Sequence, residues 1–289
     1  MQDPLQLPHI LKLLDDESNV VRESVQKYLQ GLGNNLEPLL DGIHPRIDAG
    51  TRRAALELAS GDADLAEAGL AKMVATDTIS PARWLEDNWA DWLGIADKWS
   101  QLETGLGILS GFISGTLDNN GVTEALDRLA LEFELSEHEQ NVLGLADFLF
   151  REKGLRGVQA PSYYAPANHD IRYVIEQGEG IPISLCCIFM LVGARLGFEI
   201  EGCNLPRHFM TRVKVRDQMF LMDCFNGGRL LTETELRRTS IGATLPKNFM
   251  KEEVDAPAIL QRVLRNLQIA YSFSGDIERS ELMQMLVAH

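Results

Sequence analysis

Residues 185–196, LCCIFMLVGARL, constrain the fold more than any other stretch. Leu185, Ile188, Phe189, Val192 and Leu196 form one stripe at helical spacing, and the remaining positions are also largely apolar. A helix of that composition must be enclosed on most sides, so the rest of the chain has to be built around it. Its limits are legible too. Gly180-Ile181-Pro182 reads as a rigid turn, Ser184 as the N-cap, and Gly197 as the residue after the C-cap.

That reading puts Cys186 and Cys187 at the second and third helical positions. Unpaired N–H groups and the positive end of the helix dipole there favour a thiolate. Successive helical residues diverge by about 100°, so only one of the two can face a given cleft. Both also suit the role of small core residues. All four cysteines lie between positions 186 and 224. A histidine, His208, sits in a strand-like run and Asp223 in the next, so nucleophile, base and orienting carboxylate occur in order.

Geometry tests the trio. Residues 213–215 and 219–222 suit two strands of a hairpin. A four-residue turn over 214–217 puts His208 opposite Asp223 on one face, whereas a three-residue turn over 216–218 pairs Asp223 with Thr211 and separates the two side chains. The trio therefore needs the longer turn or a bulge.

Within residues 163–228, the segments YYAPANHDIRYVIEQGEGIPISL, ARLGFEIEGCNLPRHFMTR and DCFNGGRLL resemble the SirB-type branch of the transglutaminase-like superfamily. The pattern there is roughly Y-x-x-P-x-N-S, G-I-P-I-[ST]-L, L-G, P-G-H-F and D-P-F-N-G-G. The resemblance implies an α+β fold with a papain-like or transglutaminase-like core, a helix packed on a small antiparallel sheet, and mainly helical N-terminal and C-terminal parts. His208 and Asp223 match the superfamily's histidine and aspartate. Cys186 is the first choice as nucleophile and Cys187 the second, while Ser184 occupies the place that could have lost its cysteine and, with Asn168, is a candidate for supporting the cleft. Departures are His169 for serine, Arg207 for glycine and Cys224 for proline. Asn168 suits either a loop-steadying bond near the cleft or an Asx-turn before a helix over 170–177.

Hydrophobic residues make up 45% of the 289 and charged residues 24%, a balance that supports a folded core without extended disorder. The net charge of -15 argues against nucleic acid and anionic membranes as partners. Clustered, partly adjacent cysteines indicate reduced thiols and a cytoplasmic setting. No apolar run reaches membrane-spanning length, and no C-x-x-C or H-E-x-x-H motif indicates a metal; no cofactor is expected.

The organisation expected is a helical part over 1–80, a core with a helical lead-in over 81–255, and a helical hairpin over 256–289. Residues 8–41 read as a helix pair resembling a HEAT-type unit, with Ser18 capping its second helix, and 49–75 as a second pair. Trp84, Trp89, Trp92 and Trp99 suit packing against the core. Ser136-x-x-Glu139 reads as a capping box, with His138 solvated in the first turn, and Thr232 as the cap of a short helix over 232–238. The ending resembles a tetratricopeptide-type hairpin. Two functions stand open: acyl transfer on an amide or peptide bond through Cys186, His208 and Asp223, or a catalytically degenerate member binding a protein or peptide.

Overall fold

The computed structural model describes residues 7–11, 19–41, four residues between 52 and 59, and 80–287 apart from 240–244 and 247. The chain divides into two units, Met1–Ser80 and Pro81–His289. In the first, α1 (Leu7–Leu11), α2 (Asn19–Leu32) and α3 (Leu36–Asp41) bury Leu7, Leu11, Val25, Leu29 and Leu40 in a core of their own. Ser18 and most of the second expected helix pair lie outside the described residues.

The second unit opens with α4 (Pro81–Asn88) and a tight turn Trp89–Trp92, whose two indoles are buried edge to face at 5.7 Å. Next come α5 (Lys98–Ser114) and α6 (Asn120–Glu134). The helix expected to start at Ser136 instead starts later, as α7 (Val142–Asp147), because Asn141 Oδ1 accepts from the N–H groups of Leu143 and Gly144. Ser136 Oγ is diverted to the carbonyl of Phe133. His138 is not solvated; its ring is held between Glu152 at 2.8 Å and Asp147 at 3.5 Å.

Two short strands, β1 (Arg156–Gly157) and β2 (Glu179–Gly180), pair in parallel around α8 (Ile171–Gln177). The apolar helix follows as α9 (Pro182–Arg195), with every residue from Pro182 to Gly193 buried. Proline supplies the first helical φ, so the cap is Ile181 rather than Ser184, and Cys186 and Cys187 fall one turn deeper than expected. Fully burying each large apolar side chain contributes roughly 1.5–3 kcal/mol, which makes this helix the spine of the unit. Gly193 lets it lie close to the sheet, since a Cβ there would come 2.5 Å from Ile200 Cδ1.

The sheet runs β3 (Ile200–Leu205), β4 (His208–Val215), β5 (Gln218–Asp223) and β6 (Arg229–Leu231), antiparallel and in chain order. With α9 against β3 and β4, the unit is an α+β helix-on-sheet core. Thr232 and Glu235 form a reciprocal cap on α10 (Glu233–Arg237). The hairpin α11 (Ala256–Ser274) and α12 (Ile277–Val287) adds Leu260, Leu264 and Met283 to the same core that holds α9.

Neither expected turn closes β4 onto β5. Val215 pairs with Gln218 and Thr211 with Met222, leaving a two-residue turn, Arg216-Asp217, which Arg216 permits by taking φ +56°.

Candidate active site

The short turn still brings histidine and aspartate together. Continuing the register would set Met210 across from Asp223, and His208, two residues away, shares that face. The contact is therefore diagonal: His208 Nε2 lies 3.0 Å from Asp223 Oδ1. Asp223 also accepts from the Asn226 backbone N–H at 3.2 Å and from its Nδ2 at 2.7 Å. Burial raises this carboxyl, but the bonds from His208 and Asn226 outweigh it and hold the carboxyl below its ordinary value. Asp223 thus fixes Nε2 and leaves Nδ1 as the nitrogen able to exchange a proton.

The thiols are arranged differently. Cys186 and Cys187 are fully buried, and among the described residues neither hydrogen-bonds His208. Cys186 Sγ donates to the Phe209 carbonyl at 3.5 Å. Burial drives its ionisation well up, and Cys224, Cys187 and the Asp223 carboxylate push the same way. Burial raises Cys187 too, and lifts Cys203 to about 11. The thiolate expected from the helix dipole is therefore opposed by desolvation, because the sulfurs lie inside the core rather than at the helix mouth. Ser184, also buried, donates its hydroxyl to the Asn168 carbonyl at 2.7 Å.

Asn168 takes the loop-steadying role: its Nδ2 donates to the carbonyls of Ser162 at 2.7 Å and Tyr163 at 3.1 Å. The Asx cap of α8 belongs to Asp170, which accepts from the N–H groups of Arg172 and Tyr173. This loop, the start of α9 and the middle of α11 enclose a cleft of about 120 Å³. Its walls include Tyr163, His169, Ile183, Arg207 and Arg262. His208 stands beside it, its ring 6.2 Å from Phe225, which in turn lies 6.2 Å from Tyr163.

His169 and Arg207 enter the sequence only as departures from a pattern, and Arg262 is indistinguishable there from any polar position on an amphipathic helix. Among the described residues no group of three or more His, Cys, Asp or Glu side chains is arranged to hold a metal ion. No helix among them is long and apolar enough to cross a membrane.

Residues 120–265, from the start of α6 into α11, match the family described as the transglutaminase-like superfamily. The chain belongs to that superfamily. Among relatives, a UPF0162 protein of Xylella fastidiosa strain 9a5c is 37% identical over 140 residues, 46% of this chain and 50% of that protein. A UPF0162 protein of Vibrio cholerae is 27% identical over 155 residues, 50% of this chain and 57% of that protein. F-box only protein 21 of Mus musculus is 29% identical over 114 residues, 36% of this chain and 18% of that protein. The chain spans about half the length of the UPF0162 relatives it matches. No solved structure matches. The transglutaminase-like segment contains every residue of the His208 site and all four cysteines.

Proposed function

We propose that this transglutaminase-like chain, of the SirB-type branch, uses its inherited cleft to bind a protein or peptide and has no activated thiol. The observation that carries this reading is the burial of Cys186 beneath the Phe209 carbonyl with a carboxylate nearby. An acyl transfer needs a sulfur that is exposed and ionised at the moment of attack. The helical N-terminal unit and the C-terminal hairpin, read as HEAT-like and tetratricopeptide-like arms, suit a partner-binding protein working in the cytoplasm.

The second reading is thiol acyl transfer on an amide or peptide bond. It draws on the His208–Asp223–Asn226 bonds, the arrangement that orients a general base. Iodoacetamide labelling of the folded protein between pH 6 and 9, followed by peptide mass mapping, separates the two. Binding predicts uniformly slow labelling of all four cysteines. Rapid labelling of Cys186 below pH 8 that is lost in His208→Ala would replace the binding reading with the catalytic one.

A further inference from the structure

The cleft at the head of α9 carries groups that ordinary packing would not leave as they are. Its lining contains Arg207 and Arg262 but no Asp or Glu, in a chain with 42 acidic and 27 basic residues. Arg262 is half-buried and donates to the Leu205 carbonyl at 2.8 Å and to Asn204 Oδ1, both uncharged. Among the described residues neither arginine forms a salt bridge. The two hydrogen bonds and the Phe209 ring, 5.5 Å from the Arg262 guanidinium, offset part of the cost of withdrawing it from water but supply no counter-ion.

Two further features share the wall. Among the described residues no side chain caps α9, so the N–H groups of Ile183 and Ser184 face the start of the helix with its partial positive charge. His169 is 3% exposed, its Nδ1 is 3.2 Å from the Pro166 carbonyl, and its Nε2 is buried with no partner. A carbonyl only accepts, so Nδ1 carries the proton and the neutral ring leaves Nε2 as a bare acceptor. Burial lowers this histidine to about 4, which keeps the ring neutral near pH 7.

The cleft therefore asks for an anion at its arginines and a hydrogen-bond donor at His169. A free α-carboxylate attached to an amide N–H supplies both within one residue. We propose that the cleft binds the C-terminal residue of a peptide, with the carboxylate on Arg262 and Arg207 and the amide N–H on His169 Nε2, an atom buried in the free protein that ligand entry must uncover. Ile183, Ile269 and Tyr163 provide apolar walls for one side chain, and a volume of about 120 Å³ suits a single residue. Inorganic phosphate would satisfy the arginines, and near pH 7 its remaining P–OH can donate to His169, but it offers nothing to the apolar walls and should bind more weakly than the acylated amino acid. Arg207 reaches this wall from a left-handed backbone, φ +65°, at a position where the family pattern has glycine. The inference narrows the peptide-binding reading above and rests on it for the length of the ligand.

The test is calorimetric titration of the full chain with N-acetyl-leucine, N-acetyl-leucinamide, inorganic phosphate, and a decapeptide mixture with free or amidated C-termini. Histidine ring NMR signals are followed in parallel. N-acetyl-leucine and the free-acid decapeptides should bind and shift the His169 signals, with the amides at least about tenfold weaker. Arg262→Gln should weaken the acids at least about tenfold. Arg207→Gln, at an exposed site that spares folding, should weaken them several-fold. Equal binding of acid and amide, tighter binding of phosphate, or acid binding indifferent to both variants overturns the inference. Binding of amidated decapeptides alone does so too, while leaving the broader peptide-binding reading in place. Binding of N-acetyl-leucine without any decapeptide sustains the carboxylate site and overturns the peptide-binding reading.

Discussion

The two ends of α9 handle charge in opposite ways. At its C-terminus, Arg195 makes two bonds to Glu103, at 2.7 and 2.8 Å, one to Asp127 at 2.7 Å, and one to the Leu191 carbonyl. Cation, carboxylates and the negative end of the helix dipole complete one another there. The N-terminus has its own arginines, yet Arg207 and Arg262 meet no carboxylate, and a buried imidazole nitrogen is left without a bond. A closed network of the first kind serves folding. An open one costs stability in the free protein, and that cost points to a ligand.

The largest expected break in this contrast comes from acid. His169 titrates near 4 in the folded chain against an ordinary 6.5. Between those values the unfolded chain takes up a proton that the folded one refuses, so stability rises with pH across the window and is lost as pH falls from about 6.5 toward 4. The full swing is about 3 kcal/mol. Asp170, raised by burial, pulls the other way, and Asp223, held low, adds its loss only at greater acidity. Arg262 and Arg207 line the same cleft as the ring, and their charge is constant through the window. Urea unfolding of wild type and His169→Asn at pH 4.5 and 7 isolates the histidine. The variant should lose most of the difference between the two pH values; an unchanged difference would mean that the ring is not held neutral.

Next in size is a comparison of methionine substitutions at the two ends. Arg195→Met leaves Glu103, which is 15% exposed in its side chain, with a hydroxyl bond from Thr123 but without its counter-ion. Complete burial would make the loss 3–5 kcal/mol, and partial exposure reduces it to about 2 kcal/mol. Arg262→Met removes a half-buried charge that has no counter-ion, so its cost should stay below about 1 kcal/mol, offset by better apolar packing. Thermal unfolding of both variants decides the point. Equal losses would erase the distinction between the two ends.

How much of this was open to sequence reading follows from which forces are local. The apolar circumference of α9 and the glycine after it are local signals, and the helix is there. Its start was misplaced because Pro182 and Ser184 both suit a first turn, and the tertiary bond from Ser184 to Asn168 chose between them. The histidine–aspartate pair was legible as a pair, whereas its register was not: the turn depends on an arginine adopting a backbone usually left to glycine or asparagine. Cysteine activation could not be judged from position along a helix, since desolvation is set by what β4 and β5 lay over the sulfurs. Arg262 joins the cleft only through the packing of α11 against the loop after β1, a contact with no sequence signature.

The smallest expected effect gives the finest distinction. Arg207 and Arg216 both close two-residue turns in one sheet with left-handed backbones, φ +65° and +56°, but only Arg207 lines the cleft. Replacing either by glycine removes the Cβ clash and adds back some unfolded-chain entropy, for a net gain of a few tenths to about 1 kcal/mol. Fold stability should therefore respond alike at the two turns. Carboxylate binding should not: Arg207→Gly should weaken N-acetyl-leucine several-fold, and Arg216→Gly should leave it unchanged. Denaturation midpoints and titrations on the same preparations check both halves. If Arg207→Gly stabilised the chain with no loss of binding, its strained backbone would have no functional return, and the contrast between the two ends of α9 would rest on His169 and Arg262 alone.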